Sequence, residues 1–183
     1  MSETPAGKPY IVGDDEKVSK IMVYTSQTLF WGDVVVKDQL RVSTWMRTNV
    51  APDFFRLYDA RVIYPSPGDS PRPIGYSELY IPTNQVIAYH LMPPLTEPLD
   101  YDPTEPNRIM EPIRVLAGTF LIQGGLRIST QFTLGKYLEF TKELFIPLYD
   151  VEIVNQIMPS LGVMRVYYVL VRQNAVSFSI INS

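Results

Sequence analysis

Two stretches of this chain carry one pattern of apolar, aromatic and turn residues, and that repetition limits its possible folds more than any other feature. Each stretch opens on a strand-like run: Ile21, Val23 and Tyr24 in the first, Ile113, Val115 and Leu116 in the second. Leu29-Phe30-Trp31-Gly32 then matches Leu121-Ile122-Gln123-Gly124, and Val34 with Val36 matches Leu126 with Ile128. Val42, Trp45 and Met46 fall at i, i+3 and i+4, one face of a short helix, as do Leu134, Tyr137 and Leu138. After a one-residue slip, Phe54-Phe55-Arg56-Leu57-Tyr58-Asp59 matches Phe145-Ile146-Pro147-Leu148-Tyr149-Asp150. The copies close with Asn84 to Tyr89 against Gln173 to Phe178. A unit of about 70 residues is a marginal size for a domain standing alone. The pattern therefore predicts a mainly β protein, with two tandem pseudo-symmetric β-barrel or β-sheet repeats, each with one short helix, packed on each other.

This divides the chain into a flexible arm at 1–19, a first repeat at 20–91, a linker at 92–111 and a second repeat at 112–183. The arm lacks hydrophobic periodicity, although Tyr10-Ile11-Val12 is an apolar stretch suited to docking on a sheet edge. Gly32-Asp33 reads as a turn or bulge inside a strand, and Ser43 as a cap for a helix over 42–49. The segment 65–73 holds four prolines and reads as a loop inserted at a hairpin tip, where the second repeat has only Met158-Pro159-Ser160-Leu161-Gly162. The linker holds six prolines between Pro93 and Pro112, with Glu97, Asp100, Asp102, Glu105 and Glu111, and is expected to be extended. From Met164 to Ile181 both faces of the last hairpin are apolar, so it lies between two layers or meets a partner.

The run Arg41-Val42-Ser43-Thr44-Trp45-Met46, then Asn49, then Phe54 to Val62 resembles a pattern in a family of small bacterial β-domains without an assigned activity. That pattern reads Arg-Leu-Ser-Asp-x-Leu-Asn, then Phe-Leu-x-Leu-x-Asp, then alternating apolar residues. The resemblance implies an SH3-like or Sm-like barrel with one short helix, and brings no catalytic residue with it. The second repeat departs from the pattern at Thr133-Leu134-Gly135 and keeps Leu148-Tyr149-Asp150.

Charge and composition narrow the function. The net charge is −3 and the pI about 5.2, which argues against the concentrated basic face a nucleic-acid binder needs. The chain has no cysteine, and so no disulfide framework or thiolate chemistry, which fits the cytoplasm. No apolar run reaches the roughly 20 residues of a membrane helix, leaving at most peripheral attachment through a partner. The single histidine, His90, has no His or Cys to join it and reads as a partly exposed residue at a strand end. Phosphate-cradling, dinucleotide-binding and nucleophile-elbow motifs are missing, so no enzyme, metal or cofactor is expected.

Two functional readings remain. The first is a non-enzymatic scaffold, adaptor or subunit that associates with itself or another protein. Its interface is expected at Trp31, whose counterpart is the polar Gln123, and at the outward face of Tyr167, Val169 and Val171. The second is a ligand-sensing regulator binding an anionic molecule between the repeats through Arg41, Arg56, Asp59 and Arg61. Asp59 and Asp150 stand at matching positions, and acid–base chemistry, cation binding and hydrogen bonding to local backbone N–H groups are all open to them.

Overall fold

The computed structural model describes residues 10–47, 52–65 and 72–181. Ten strands form one antiparallel sheet that does not close. The first half contributes β1 (Glu16–Tyr24), β2 (Leu29–Lys37), a one-turn helix α1 (Val42–Trp45), β3 (Phe54–Ile63), β4 (Ile74–Pro82) and β5 (Ala88–Leu91). The second contributes β6 (Arg108–Ala117), β7 (Phe120–Ser129), α2 (Leu134–Phe140), β8 (Phe145–Asn155), β9 (Val163–Arg172) and β10 (Ser177–Ile180). Short 3₁₀ turns at Thr83–Gln85 and Gln173–Ala175 precede β5 and β10. The order across the sheet is β10-β6-β7-β8-β9-β5-β1-β2-β3-β4. The halves thus join where β9 meets β5, and β4 and β10 are the two ends.

Strand alternation at the join serves two cores at once. Ile21 and Val23 of β1 point into a core with Phe55, Leu57 and Tyr89, while Met22 and Tyr24 point into another with Ile113, Ile122 and Leu148. On β9, Val169 and Val171 enter the second core and Leu170 the first. The doubly apolar hairpin strand is therefore an interior strand between two layers of side chains. This corrects the outward placement of Val169 and Val171: neither has any exposed surface. Tyr167 alone of that trio is exposed, at 68%.

Boundaries move where pairing extends beyond the apolar pattern. β1 begins at Glu16, because Glu16 to Ser19 pair with Lys37 to Val34. Tyr10 is buried against Tyr58, ring centroids 4.7 Å apart, and its hydroxyl donates to Asp33 Oδ2 at 2.9 Å. The arm is thus tied down from Tyr10 onward, and residues 1–9 lie outside the described residues. β6 starts at Arg108, paired with Ser129, so the connector is shorter than its composition suggests. The helix predicted over 42–49 ends at Trp45, with Met46 as its C-cap and Arg47 in a turn; residues 48–51 lie outside the described residues, as do 66–71 of the proline-rich loop.

The matching aspartates have a backbone explanation. Register against β2 slips by one residue between Trp31 and Asp33, and register of β8 against β7 slips between Gln123 and Gly125. These are bulges, with Asp59 and Asp150 in left-handed conformation at φ 45° and 50°. Asp tolerates that region better than β-branched residues do. Gly32 and Gly124 face the bulges because a Cβ there would meet Tyr58 O at 2.7 Å and Tyr149 O at 2.9 Å. The expected result is that Asp150→Gly leaves stability nearly unchanged, whereas Asp150→Val costs about 1–2 kcal/mol in urea unfolding. Equal effects of the two substitutions would refute a conformational role.

Candidate functional site

Three surface features carry the side chains of interest. The first is a cleft between the halves. The connector's Thr96 to Tyr101 forms one wall, Pro147, Tyr149, Asp150, Tyr167 and Tyr168 the other, around a cavity of about 400 Å³. Glu97 braces it: its carboxylate accepts from Val42 N at 2.7 Å and Ser43 N at 3.1 Å, capping α1, and from the Tyr168 hydroxyl at 3.3 Å. The expected Ser43 cap is replaced by this distant carboxylate, and Ser43 Oγ is buried without a hydrogen-bond partner. Asp100 accepts from Tyr149 at 2.5 Å and from Arg47 at 2.9 Å, and Arg47 also pairs with Glu143 at 2.7 Å. Burial and then the Asp100 carboxylate push the Tyr149 phenol far above its ordinary range, and burial and Glu97 do so for Tyr168. Both phenols remain hydrogen-bond donors at neutral pH. The charged side chains on the cleft's walls are Glu97, Asp100 and Asp150.

The second feature is a shallow depression that brings together Trp31, Asp59 and Arg61 with Lys20 and Tyr76. Trp31 is half-buried, packed against the second half's core, while its counterpart Gln123 is exposed. Arg41 and Arg56 do not join this group. Arg41 lies at α1 with Nη1 3.4 Å from Leu99 O. Arg56 pairs with Glu78 and lies over the rings of Tyr58 and Tyr80, at 4.8 and 5.5 Å. The four residues expected to hold one anion are therefore divided among separate places, none of them in the cleft.

The third feature is the β4 edge, which sequence reasoning missed. Its outward residues Ile74, Tyr76 and Tyr80 are exposed, Tyr80 at 53%, and the Phe54 ring meets Tyr80 edge-on at 6.5 Å while 50% exposed. The signal was present as alternation in Tyr76-Ser77-Glu78-Leu79-Tyr80-Ile81, but alternation does not tell an edge strand from an interior one. At the opposite end of the sheet, Ile180 of β10 is exposed and Phe178 half-buried.

Among the described residues no group of three or more His, Cys, Asp or Glu is placed to hold a metal ion, and no helix is long and apolar enough to cross a membrane. Comparison of this chain with protein-family models, with curated proteins and with solved structures finds no match.

His90 is not at the surface, as its place at a strand end suggested, but fully buried. Its Nδ1–H donates to Leu91 O at 2.6 Å, and the Tyr24 hydroxyl donates to Nε2 at 2.8 Å. Burial holds its pKa down to about 4, so the folded chain keeps it neutral. The unfolded chain takes up a proton near the ordinary value of about 6.5. The stability due to neutral His90 is therefore fully present above that value and is lost as pH falls toward 4, roughly 3 kcal/mol in all. Urea unfolding between pH 7 and pH 4 is expected to show this loss, and His90→Gln to flatten it. An unchanged slope in His90→Gln would assign the loss to other groups.

Proposed function

We propose that this chain is a non-enzymatic assembly module, a scaffold or subunit made of two copies of one small SH3-like or Sm-like β-unit that recruits protein through its sheet edges. The exposed aromatic edge at β4 carries this reading. Tyr76 and Tyr80, with Phe54 beside them, leave large apolar rings in water next to the backbone of an end strand. Edge strands generally defend themselves with charge, proline or a covering loop, and an undefended one is a template for another strand. On this edge, proline stands only at its last residue, Pro82, and its one charged side chain, Glu78, is engaged by Arg56 and the Tyr80 hydroxyl. Affinity capture from the native host, with quantitative mass spectrometry, tests the reading. A protein, this chain included, held stoichiometrically by the wild type is expected to be lost from a folded Tyr80→Lys variant. The same capture by both would overturn a role for the edge.

The cleft favours a second reading, a small-ligand sensor. Its tyrosines suit a flat or cationic molecule, and its three carboxylates oppose the anionic ligand that the arginines suggest. Thermal unfolding against a panel of aromatic amines and nucleotides separates the cases. A rise in Tm with amines that Tyr168→Leu removes supports a cleft ligand, and a rise with nucleotides alone contradicts the cleft's charge.

A further inference from the structure

The join between β9 and β5 shows what the two ends of the sheet lack. Ala88 pairs with Val171 and Tyr89 with Leu170. Across this join the second half lends side chains to the first half's core: Phe145 and Leu170 are buried there, with Tyr168 packed against them. The Phe145 and Tyr89 rings meet at 5.2 Å, nearly perpendicular. By the sequence pattern and strand register, Phe54 stands where Phe145 does, Tyr80 where Leu170 does, and Phe178 where Tyr89 does. Phe145, Leu170 and Tyr89 are completely buried, whereas Phe54 is 50% and Tyr80 53% exposed and Phe178 only half-buried. The residues that complete the internal join are thus present twice, once joined and once divided between opposite ends of the molecule.

We infer that the edge strand β4 receives β10 of a second copy of this chain, head to tail, with Phe178 opposite Tyr80 and Ser177 opposite Ile81. This rests on the assembly reading above and names its partner. The contact reproduces the β5–β9 pairing between molecules, sets Phe54 against Phe178 as Phe145 lies against Tyr89, and covers Tyr80 and Ile180. The two surfaces are unlike, so each copy keeps one free end, and association continues until a ring closes or a filament grows. The contact is weaker than the internal join. Pro82 occupies the place of Arg172, whose backbone N–H donates to Ile87 O at 2.8 Å and whose guanidinium donates to Val86 O and Thr83 O. Proline supplies none of these bonds.

Light scattering on the purified chain is expected to give a mass that is a multiple of 20.9 kDa. Tyr80→Lys, with an unchanged circular dichroism spectrum, is expected to fall to the single-copy mass. The chain has no cysteine, which permits a second test independent of that variant. Paired residues in an antiparallel ladder lie about 5.5 Å apart or less at Cα, within disulfide reach. Mild oxidation of Tyr80→Cys mixed with Phe178→Cys is expected to give one cross-linked dimer, and the double variant a ladder of higher species. A wild type that stays at single-copy mass with no mixed disulfide overturns the inference, as does self-association that Tyr80→Lys leaves intact. If the purified chain is single while host capture still loses a companion on Tyr80→Lys, the partner is another protein and only the second copy is excluded. If both experiments are negative, the assembly reading falls with it.

Discussion

The structure depends on the short ladder between β5 and β9. β5 is four residues long, and two of them pair with β9. Arg172 makes this sufficient. Its side chain is buried, pairs with no carboxylate among its hydrogen bonds, and instead caps the 3₁₀ turn of the other half through the carbonyls of Val86 and Thr83. Its guanidinium also lies over the Phe145 ring at 4.9 Å. A buried cation is costly unless each donor finds an acceptor, and a tight turn ends in carbonyls that a strand ladder leaves free. Arg172 Nε and Nη2 find such acceptors in the carbonyls of Val86 and Thr83. With the join fixed, β9 is interior on both faces from Val169 to Val171, the two cores share β1, β5 and β9, and the connector is held across the cleft.

Much of this was legible because hydrophobic period is local. The two strand-like runs, the glycines opposite the bulges and the apolar helix faces were all visible at fixed spacing. The identity of an interior strand was half visible: β9 is apolar on both faces, but whether the second face meets a partner or a second core depends on the far half of the chain. Asp59 and Asp150 were visible as a matched pair, and their cause was not. A left-handed residue in a strand shows itself only once the register slip is known. His90 carried no signal at all, since its neighbours Tyr89 and Leu91 are equally compatible with a surface strand end.

The connector illustrates what sequence order hides. Its acids gave no sign of their partners, yet three of them find partners far along the chain. Glu97 serves amides 54 and 55 residues away, Asp100 serves Arg47 and Tyr149, and Glu105 pairs with Arg127 at 2.7 Å. The segment turns at 93–94, 103–104 and 106–107 rather than running extended throughout, and the carboxylates fasten it. Tyr101 completes the fastening, stacked edge-on with Tyr149 at 4.9 Å and beneath Arg127 at 4.5 Å. A stiff strap held at several points makes the cleft a permanent feature of the surface. It also makes α1 dependent on the connector, because a helix of four residues has no cap of its own.

The differences between the halves then become the informative part. Where both must build a bulge and a core, they agree: Gly32 with Gly124, Asp59 with Asp150, Leu57 with Leu148. They diverge along the strands that face a neighbour. Arg172 gives way to Pro82, Leu170 to Tyr80 and Tyr168 to Glu78, while Phe145 persists as Phe54. A join that must never open gains from a buried arginine and a small aliphatic contact. An edge that meets water when alone gains from side chains with a polar tip, as tyrosine and glutamate have, because they tolerate exposure and still bury apolar surface on contact. The pattern of substitution fits the contact proposed for the β4 edge, with the locked version of it inside the molecule.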